Sequence, residues 1–195
     1  MYKNLHFKIV VIFVVFTMAI MAAVGAMMLQ STVSFYSEEF TSQMESAFGE
    51  ESDLLLELIH AFDSEDCYEK QNEILKAYSS SLGIDNHRNY YVLDINGRFL
   101  AGSDAQLGAQ LEITPNIVSA MNGEVGSKSR FWEEYIDYAV GISSGGKTSI
   151  IYVKDTQEEV RSFTMMIFQM TVQSMFFGLL IAVVLSFFLA RAITE

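Results

Sequence analysis

The fold is decided by the stretch Tyr90-Tyr91-Val92-Leu93-Asp94-Ile95-Asn96-Gly97-Arg98-Phe99-Leu100-Ala101, which predicts two strands and the turn between them. Its first half is rich in aromatic and β-branched residues, which are common in strands. Asn96-Gly97 is the strongest short signal for a hairpin turn, because both residue types tolerate positive φ. An antiparallel sheet is therefore expected to begin near residue 90.

The chain after this hairpin predicts a loop, a short helix and a second strand pair. The polar segment Gly102–Leu111 is expected to be a loop, and Thr114-Pro115 to open a helix that closes near Asn122-Gly123, with proline in the first turn. The second pair of strands is predicted at Tyr135–Ile142 and Ser149–Lys154, joined by a turn over Ser143–Lys147.

The chain before the hairpin predicts helices. Apolar residues recur at helical spacing, mostly three, four or seven apart, at Val33, Phe40, Met44, Phe48, Leu55, Leu58 and Phe62. This pattern predicts one long amphipathic helix that runs to about Phe62. A second helix is expected over Tyr68–Leu82, with Gly83 as its C-cap.

Two uncharged apolar runs, Ile9–Leu29 and Ser162–Ala190, lie on either side of this acidic middle. At about 1.5 Å per helical residue, each is long enough for a hydrocarbon core of about 30 Å. Thr156-Gln157-Glu158-Glu159 has the form of a capping box and predicts a helix that starts near Gln157 and continues into the second run.

These features predict a chain that crosses the cell membrane twice. The expected segments are a cytoplasmic tail at 1–8, membrane helices at 9–29 and 162–190, an extracytoplasmic domain at 30–161, and the start of a linker at 191–195. Lys3, Lys8 and Arg191 flank the two runs, and positive flanking residues favour the cytoplasmic side. A cleaved signal peptide is the alternative for the first run, because Ala23-Val24-Gly25 offers a small-x-small site.

Charge and cysteine content exclude several classes of function. The 24 acidic and 12 basic residues are unevenly distributed: residues 30–161 hold 23 acidic and 9 basic ones, a net charge of −14. That charge disfavours nucleic acid as a partner. Cys67 has no second cysteine for an internal disulfide, and His60 and His87 are too far apart to suggest a metal site. No metal and no cofactor are expected in this chain.

The order of these elements resembles the extracytoplasmic single Cache (PAS-like) sensor of bacterial membrane histidine kinases. The residues that carry the resemblance are Tyr91–Asp104, Tyr138–Ile142 with Gly145-Gly146, and Ile150–Asp155. Ala190–Glu195 also resembles the opening of a HAMP linker. The resemblance implies an α+β fold in which two transmembrane helices flank a PAS/Cache-like antiparallel sheet packed on a long N-terminal helix.

The same resemblance implies the sensory part of a two-component system, with a homodimer at the membrane and a response regulator as a partner of further domains. The chain has no His-containing dimerisation helix and no ATP-binding region, so ATP and Mg²⁺ are expected only in a kinase core outside it. Two alternatives stay open: the sensor of a chemoreceptor or diguanylate cyclase, and a two-span membrane protein that binds a protein partner.

The resemblance also suggests a ligand pocket on the sheet face below the loop after Ala101. The candidate ligand-binding residues are Tyr91, Ser103, Asp104, Trp132, Tyr135 and Tyr138. Aromatic rings would form the walls, while the serine and aspartate would orient a polar ligand. The structural alternative is that the tyrosines and tryptophan are core residues and that Ser103-Asp104 caps a turn. Asp137, which follows Glu133-Glu134, is expected to lie on a solvated edge.

Overall fold

The computed structural model describes residues 2–108, 110–128 and 135–194. The helices are α1 (Tyr2–Ala47), α2 (Asp53–His60), α3 (Cys67–Ala77), α4 (Ala105–Gly108), α5 (Pro115–Met121) and α6 (Glu158–Thr194), with a 3₁₀ turn at Ala61–Asp63. The strands are β1 (Arg88–Leu93), β2 (Phe99–Gly102), β3 (Ile136–Ser144) and β4 (Lys147–Asp155).

The chain divides into two compact units, of which the first comprises Met1–Ser34 and Val160–Glu195. In this unit α1 and α6 pack at small residues: a Cβ atom added at Gly25 would stand 2.7 Å from Cγ2 of Thr171. The missing side chain of Gly25 therefore permits the close approach. Within the described residues, α1 and α6 are long and apolar enough to cross a membrane.

The second unit, Phe35–Glu159, contains a four-stranded antiparallel sheet in the order β2-β1-β4-β3. β3 and β4 form the longest pairing, from Ile136 opposite Asp155 to Ser144 opposite Lys147. Gly145 and Gly146 make the tight turn between them with φ values of 58° and 79°. Positive φ at both turn residues matches the twist of a hairpin, which is why glycine suits both positions.

One face of the sheet, the core face, packs against the C-terminal part of α1 and against α2 and α3. Side chains alternate between the faces of a strand, so every second residue points to this side. Phe40 and Met44 of α1 and Leu58 of α2 are buried against it. The strand residues of the core face are Tyr90, Val92, Ile136, Tyr138, Val140, Ile142, Ile151 and Val153.

The opposite face, the cavity face, is covered by α5. Thr114 caps this helix: its hydroxyl accepts a hydrogen bond from the Ile117 N–H at 3.3 Å, and Pro115 follows in the first turn. Ile117 and Ala120 pack on the sheet. The strand residues of the cavity face are Asn89, Tyr91, Leu93, Asp137, Ala139, Ile150, Tyr152 and Lys154.

The predicted α+β class, with an antiparallel sheet packed on the N-terminal helix, is confirmed, and four local predictions need correction. α1 does not run to Phe62, because it ends at Ala47 before Gly49, and Ser52 caps a separate α2. α3 ends at Ala77, before Leu82. The predicted loop after Gly102 contains the short helix α4.

The fourth correction concerns the predicted capping box at the start of α6. The helix begins at Glu158, so Gln157 precedes its first residue and Thr156 lies one position too early for an N-cap. The Thr156 hydroxyl instead donates to the His87 carbonyl at 3.3 Å. Gln157 has a φ of 55°, the one positive value for a non-glycine residue in the described part of the chain.

Candidate ligand cavity

A cavity of about 310 Å³ opens at one end of the cavity face, where β1 and β4 pair and the segment before α5 passes over them. This volume is at the lower end of the range typical of small-molecule sites. Its lining residues are Asn89, Tyr91, Gln110, Leu111, Glu112, Thr114, Tyr135, Lys154 and Thr156. Asn89 and Lys154 are opposite each other in the register of β1 and β4, so the paired strand ends form one wall of the cavity.

Two predicted site residues, Tyr91 and Tyr135, line this cavity. The Tyr91 ring stacks on Tyr152 at a centroid distance of 6.0 Å. Burial, followed by the negative charge of Asp104, raises the pKa of Tyr91 to about 12, so its hydroxyl is neutral at physiological pH. The Tyr135 ring lies 4.2 Å from the ammonium of Lys154, a cation–π contact that positions the lysine at the cavity wall.

Ser103 and Asp104 lie beside the cavity and are engaged in local structure. The Ser103 hydroxyl accepts from the Tyr90 N–H at 3.1 Å and donates to Oδ1 of Asn89 at 2.8 Å, so it orients a lining amide. Asp104 Oδ1 accepts from the Gln106 N–H at 2.9 Å at the start of α4. These are the turn contacts that the structural alternative predicts, and a ligand role for either residue stays a prediction.

Tyr138 lies on the other side of the sheet. It is 2% exposed and stacks on Phe48 of the chain after α1, at 5.8 Å between ring centroids. Its position in β3, one residue out of phase with Asp137, turns it to the core face. The structure therefore does not bring Tyr138 together with Tyr91 and Tyr135. Trp132 lies outside the described residues.

Asp137 is not on a solvated edge, as expected from its acidic neighbours, but 4% exposed beneath α5. Its Oδ2 accepts from the Thr114 hydroxyl at 2.7 Å and its Oδ1 from the Asn116 side-chain amide at 2.7 Å. Neutral donors thus surround a buried carboxylate, which attracts positive charge. Because Thr114 also lines the cavity, this cluster lies directly behind the cavity wall.

The hydroxyl of Tyr152 lies in the same cluster, near Asp137 and Thr114. Burial and then the Asp137 charge raise the pKa of Tyr152. Its oxygen is fully buried and makes no hydrogen bond of normal geometry within the described part of the chain. A buried phenol without a partner is unusual, because losing water without a replacement costs about 1–3 kcal/mol.

The sequence contained signals for the residues that the prediction missed. Asn89 is two positions before Tyr91 and therefore faces the same way in β1. Lys154, predicted only as the last residue of a strand, follows the cavity-facing Tyr152 by two. The cross-strand row Asn89, Lys154 and Asp137 depends on the register of three strands, which single-strand patterns do not contain.

No arrangement for metal binding is found among residues 2–108, 110–128 and 135–194: they contain no group of three or more His, Cys, Asp or Glu side chains that could hold an ion. The charged side chains in the cavity lining are one ammonium, on Lys154, and one carboxylate, on Glu112. Together with amides and hydroxyls, they can form hydrogen bonds to both a donor and an acceptor group of one small molecule.

No family model and no curated protein matches the chain. Among solved structures, it is similar to the ligand-binding domain of the Campylobacter jejuni chemoreceptor Tlp3 in complex with 4-methylisoleucine, with 18% identity, a TM-score of 0.47, and coverage of 77% of this chain and 62% of that one. It is also similar to the sensory domain of Tlp3 (CcmL) with isoleucine bound, with 17% identity, a TM-score of 0.40, and coverage of 76% and 66%. The chain thus spans less than two thirds of either domain, and the likeness of fold is loose.

Proposed function

We propose that this chain is the sensory and membrane portion of a receptor, in which the cavity binds a small zwitterionic ligand outside the cell. The observation that carries the proposal is the position of the cavity on β4. Lys154 forms part of its wall, and α6 begins at Glu158. Because only Thr156 and Gln157 separate β4 from α6, a ligand that displaces the strand end also acts on that apolar helix.

The ligand class follows from the charges around the cavity. The Lys154 ammonium favours a carboxylate, and Glu112 favours an ammonium group. Asp137, behind Thr114, adds negative potential on the inner side. A small molecule with an amino and a carboxyl group satisfies both charges, whereas a divalent cation would be repelled by Lys154. The Tlp3 domains bind isoleucine and 4-methylisoleucine, which are included among the test compounds for that reason.

The test is a thermal-shift screen of the full chain in lipid nanodiscs. The panel contains L-amino acids, the corresponding amines and organic acids, and divalent cations. A ligand that binds only the folded state raises the melting temperature, with about 2.7 kcal/mol of stabilisation at one hundred times its Kd. We expect amino acids to raise it and the singly charged analogues to do so less.

Two lysine variants locate the binding site. Lys154→Met is expected to abolish the shift, because it removes the cation of the cavity wall. Lys76→Met makes the same change on the exposed end of α3 and is expected to leave the shift intact. An equal shift in both variants would show that the ligand binds elsewhere, and no shift with any amino acid would contradict the ligand class.

The proposed receptor lies in the cell membrane with both termini in the cytoplasm. The positive flanks Lys3, Lys8 and Arg191 support this orientation. In a Cys67→Ser background, Glu124→Cys places a thiol on an exposed residue of the second unit. A membrane-impermeant maleimide is expected to label it in intact cells. Labelling only after lysis would reverse the orientation.

The receptor is proposed to be a homodimer in which α6 helices meet along Gln169 and Gln173. Both side chains are exposed within the uncharged, mostly apolar run Ser162–Ala190, and a spacing of four places them on one face. An unpaired amide is costly in hydrocarbon, and two glutamines can bond each other across helices. Gln173→Leu should lower the dimer fraction counted by single-molecule photobleaching, while Val172→Leu should not.

The output is proposed to be a histidine kinase with its response regulator, and a chemoreceptor or diguanylate cyclase is the alternative. The support is the resemblance of the sensor elements and of Ala190–Glu195 to kinase receptors. The coding sequence downstream of Glu195 is the test. A His-containing dimerisation helix with an ATP-binding domain supports the kinase, and a cyclase or methyl-accepting domain supports the alternative.

A second candidate function is the binding of a protein partner by a two-span membrane protein. Its support is a set of exposed apolar side chains on and beside α5: Ile113 is 55%, Val118 45% and Val125 53% exposed. Clustered apolar exposure is typical of interaction surfaces. Val118→Asp would abolish co-purification of such a partner without changing the amino-acid thermal shift, which separates the two functions.

A further inference from the structure

Asp155, the last residue of β4, connects three parts of the second unit through one carboxylate. It is 3% exposed. Its Oδ2 accepts hydrogen bonds from Nε of Arg88 in β1 and from the hydroxyl of Tyr36 in α1, both at 2.8 Å. Its Oδ1 accepts from the backbone N–H of Gln157 at 2.8 Å. The carboxylate therefore binds a strand, a helix and the connection to α6 at the same time.

Arg88, which is paired with Asp155 across β1 and β4, holds this carboxylate in place. It is 8% exposed, and its Nη1 donates to Oε1 of Gln43 at 2.6 Å and to the Leu82 carbonyl at 2.9 Å. Its guanidinium lies 4.9 Å from the centre of the Phe40 ring. Burial opposes the charge, but the hydrogen bond and attraction from Asp155 outweigh it and raise the pKa of Arg88. Arg88 therefore stays charged, and its bonds to Asp155 and Gln43 tie β1 and β4 to α1.

The connection held by Asp155 is strained. Gln157 has a φ of 55°, in the left-handed region that costs a residue with a Cβ atom about 1–2 kcal/mol. Such a conformation persists only where surrounding contacts hold it. Its N–H bond to Asp155 and the Thr156 bonds to the His87 carbonyl are those contacts. Losing them would let the segment relax to another conformation.

The cavity and this contact set lie on adjacent residues of the same two strands. Arg88 is opposite Asp155 in the register, and the next pair is Asn89 opposite Lys154. Asn89 and Lys154 line the cavity, while Arg88 and Asp155 point to the core face and α1. A change in spacing between these strand ends at the cavity must also change the geometry at Asp155.

We propose that Asp155 is a latch: its bonds hold the Thr156-Gln157 connection, which precedes α6, close to Tyr36 of α1. Movement of the paired ends of β1 and β4 at the cavity breaks these bonds and releases the connection. This role rests on the proposed receptor function for its stimulus. Release breaks the Arg88 and Tyr36 bonds, frees Gln157 from its left-handed conformation, and lets the Thr156-Gln157 connection change direction. The latch thus converts a small strand shift into a change at the start of α6.

The test measures hydrogen exchange by mass spectrometry on the full chain in nanodiscs, without added ligand. Asp155→Asn keeps an acceptor for Gln157 but replaces the oxygen that Arg88 and Tyr36 contact. If the latch depends on those contacts, exchange in residues 155–158 rises about tenfold or more, the equivalent of one lost bond to a charged group. Tyr36→Phe, which leaves no unpaired charge, produces a smaller rise in the same segment.

Asp137→Asn is the matched control, because it makes the same change at a similarly buried carboxylate of the neighbouring strand. It is expected to raise exchange in α5 and to leave residues 155–158 as in the native chain. The latch is overturned if exchange in 155–158 is unchanged in Asp155→Asn, or if it rises evenly across the sheet. A ligand screen without hits would remove the proposed stimulus alone, since the exchange experiment contains no ligand.

Discussion

The two faces of the sheet are built from the same strands but differ in chemistry. The core face meets α1, α2 and α3 through closely packed apolar side chains. The cavity face carries a smaller apolar cluster, the buried polar residues Thr114, Asn116 and Asp137, and an open cavity. Burial of apolar area supplies most folding free energy, so the core face can hold the sheet together while the cavity face is free to carry polar groups.

The largest expected effect is a cavity made on the core face. Leu58 of α2 is fully buried there, and Leu58→Ala should lower the free energy of unfolding by about 2–5 kcal/mol. Chemical denaturation of the full chain, followed by fluorescence of the sole tryptophan, measures it. Leu56→Ala, an exposed position on the same helix, should change stability by less than about 0.5 kcal/mol. Similar losses would mean that α2 does not carry the core.

The next effect tests the polar cluster of the cavity face. Asp137→Ala leaves the Thr114 hydroxyl and the Asn116 amide buried without their acceptor. We expect a loss of about 1–3 kcal/mol in the same denaturation experiment. Glu124→Ala, an exposed carboxylate after α5, is the control and should be nearly neutral. If Asp137→Ala leaves the free energy of unfolding unchanged, Asp137 lies on a solvated edge, as its acidic neighbours suggest.

A change at the β3–β4 turn should weaken both faces alike. Gly146 has a φ of 79°, so Gly146→Ala is expected to cost about 1–2 kcal/mol of stability. Gly146→Asn should cost less, because asparagine tolerates this conformation. The amino-acid affinity from the thermal-shift assay should be unchanged in both variants. A selective loss of ligand binding would show that the turn belongs to the cavity side.

The smallest effect compares one tyrosine from each face at alkaline pH. Burial raises the pKa of Tyr91 and of Tyr138 to about 12, with Asp104 and Glu45 as the lesser causes. An unfolded tyrosine ionises near 10, so between about pH 10 and 12 the unfolded state loses its proton first and stability falls as pH rises. Tyr91→Phe and Tyr138→Phe should each reduce this fall, measured by melting temperature against pH. If the melting temperature falls with pH as much in both variants as in the native chain, burial does not raise the pKa of these two tyrosines.

Local patterns predicted the strands and α5 well, because their signals lie within a few residues. Asn96-Gly97, Thr114-Pro115 and Gly145-Gly146 each identify a turn or a helix start by backbone preference alone. The helix boundaries were less accurate. The apolar period continues from Met44 through Leu55, so only the Gly49 break and the Ser52 cap separate α1 from α2. The helical spacing of apolar residues alone does not show where one helix ends and the next begins.

The candidate site was predicted in part. Tyr91 and Tyr135 line the cavity, while Tyr138 belongs to the core face because β3 places it one residue out of phase with Asp137. Residue type identifies aromatic side chains as candidates for a pocket. Which face of the sheet each one points to depends on its position in the alternation along the strand. The polar lining residues Asn89 and Lys154 were missed, because strand alternation places them on the same face as Tyr91 and Tyr152 but their residue types do not mark them as site residues.

The sequence by itself determined the two apolar runs, the acidic domain between them, the α+β class and the positions of its turns. These depend on composition and on backbone preferences that act over a few residues. Only the tertiary structure decided the cross-strand row of Asn89, Lys154 and Asp137, and the contact of Asp155 with Arg88 and Tyr36. Those residues are up to 119 positions apart, and their meeting depends on strand register and helix docking, which no local pattern contains.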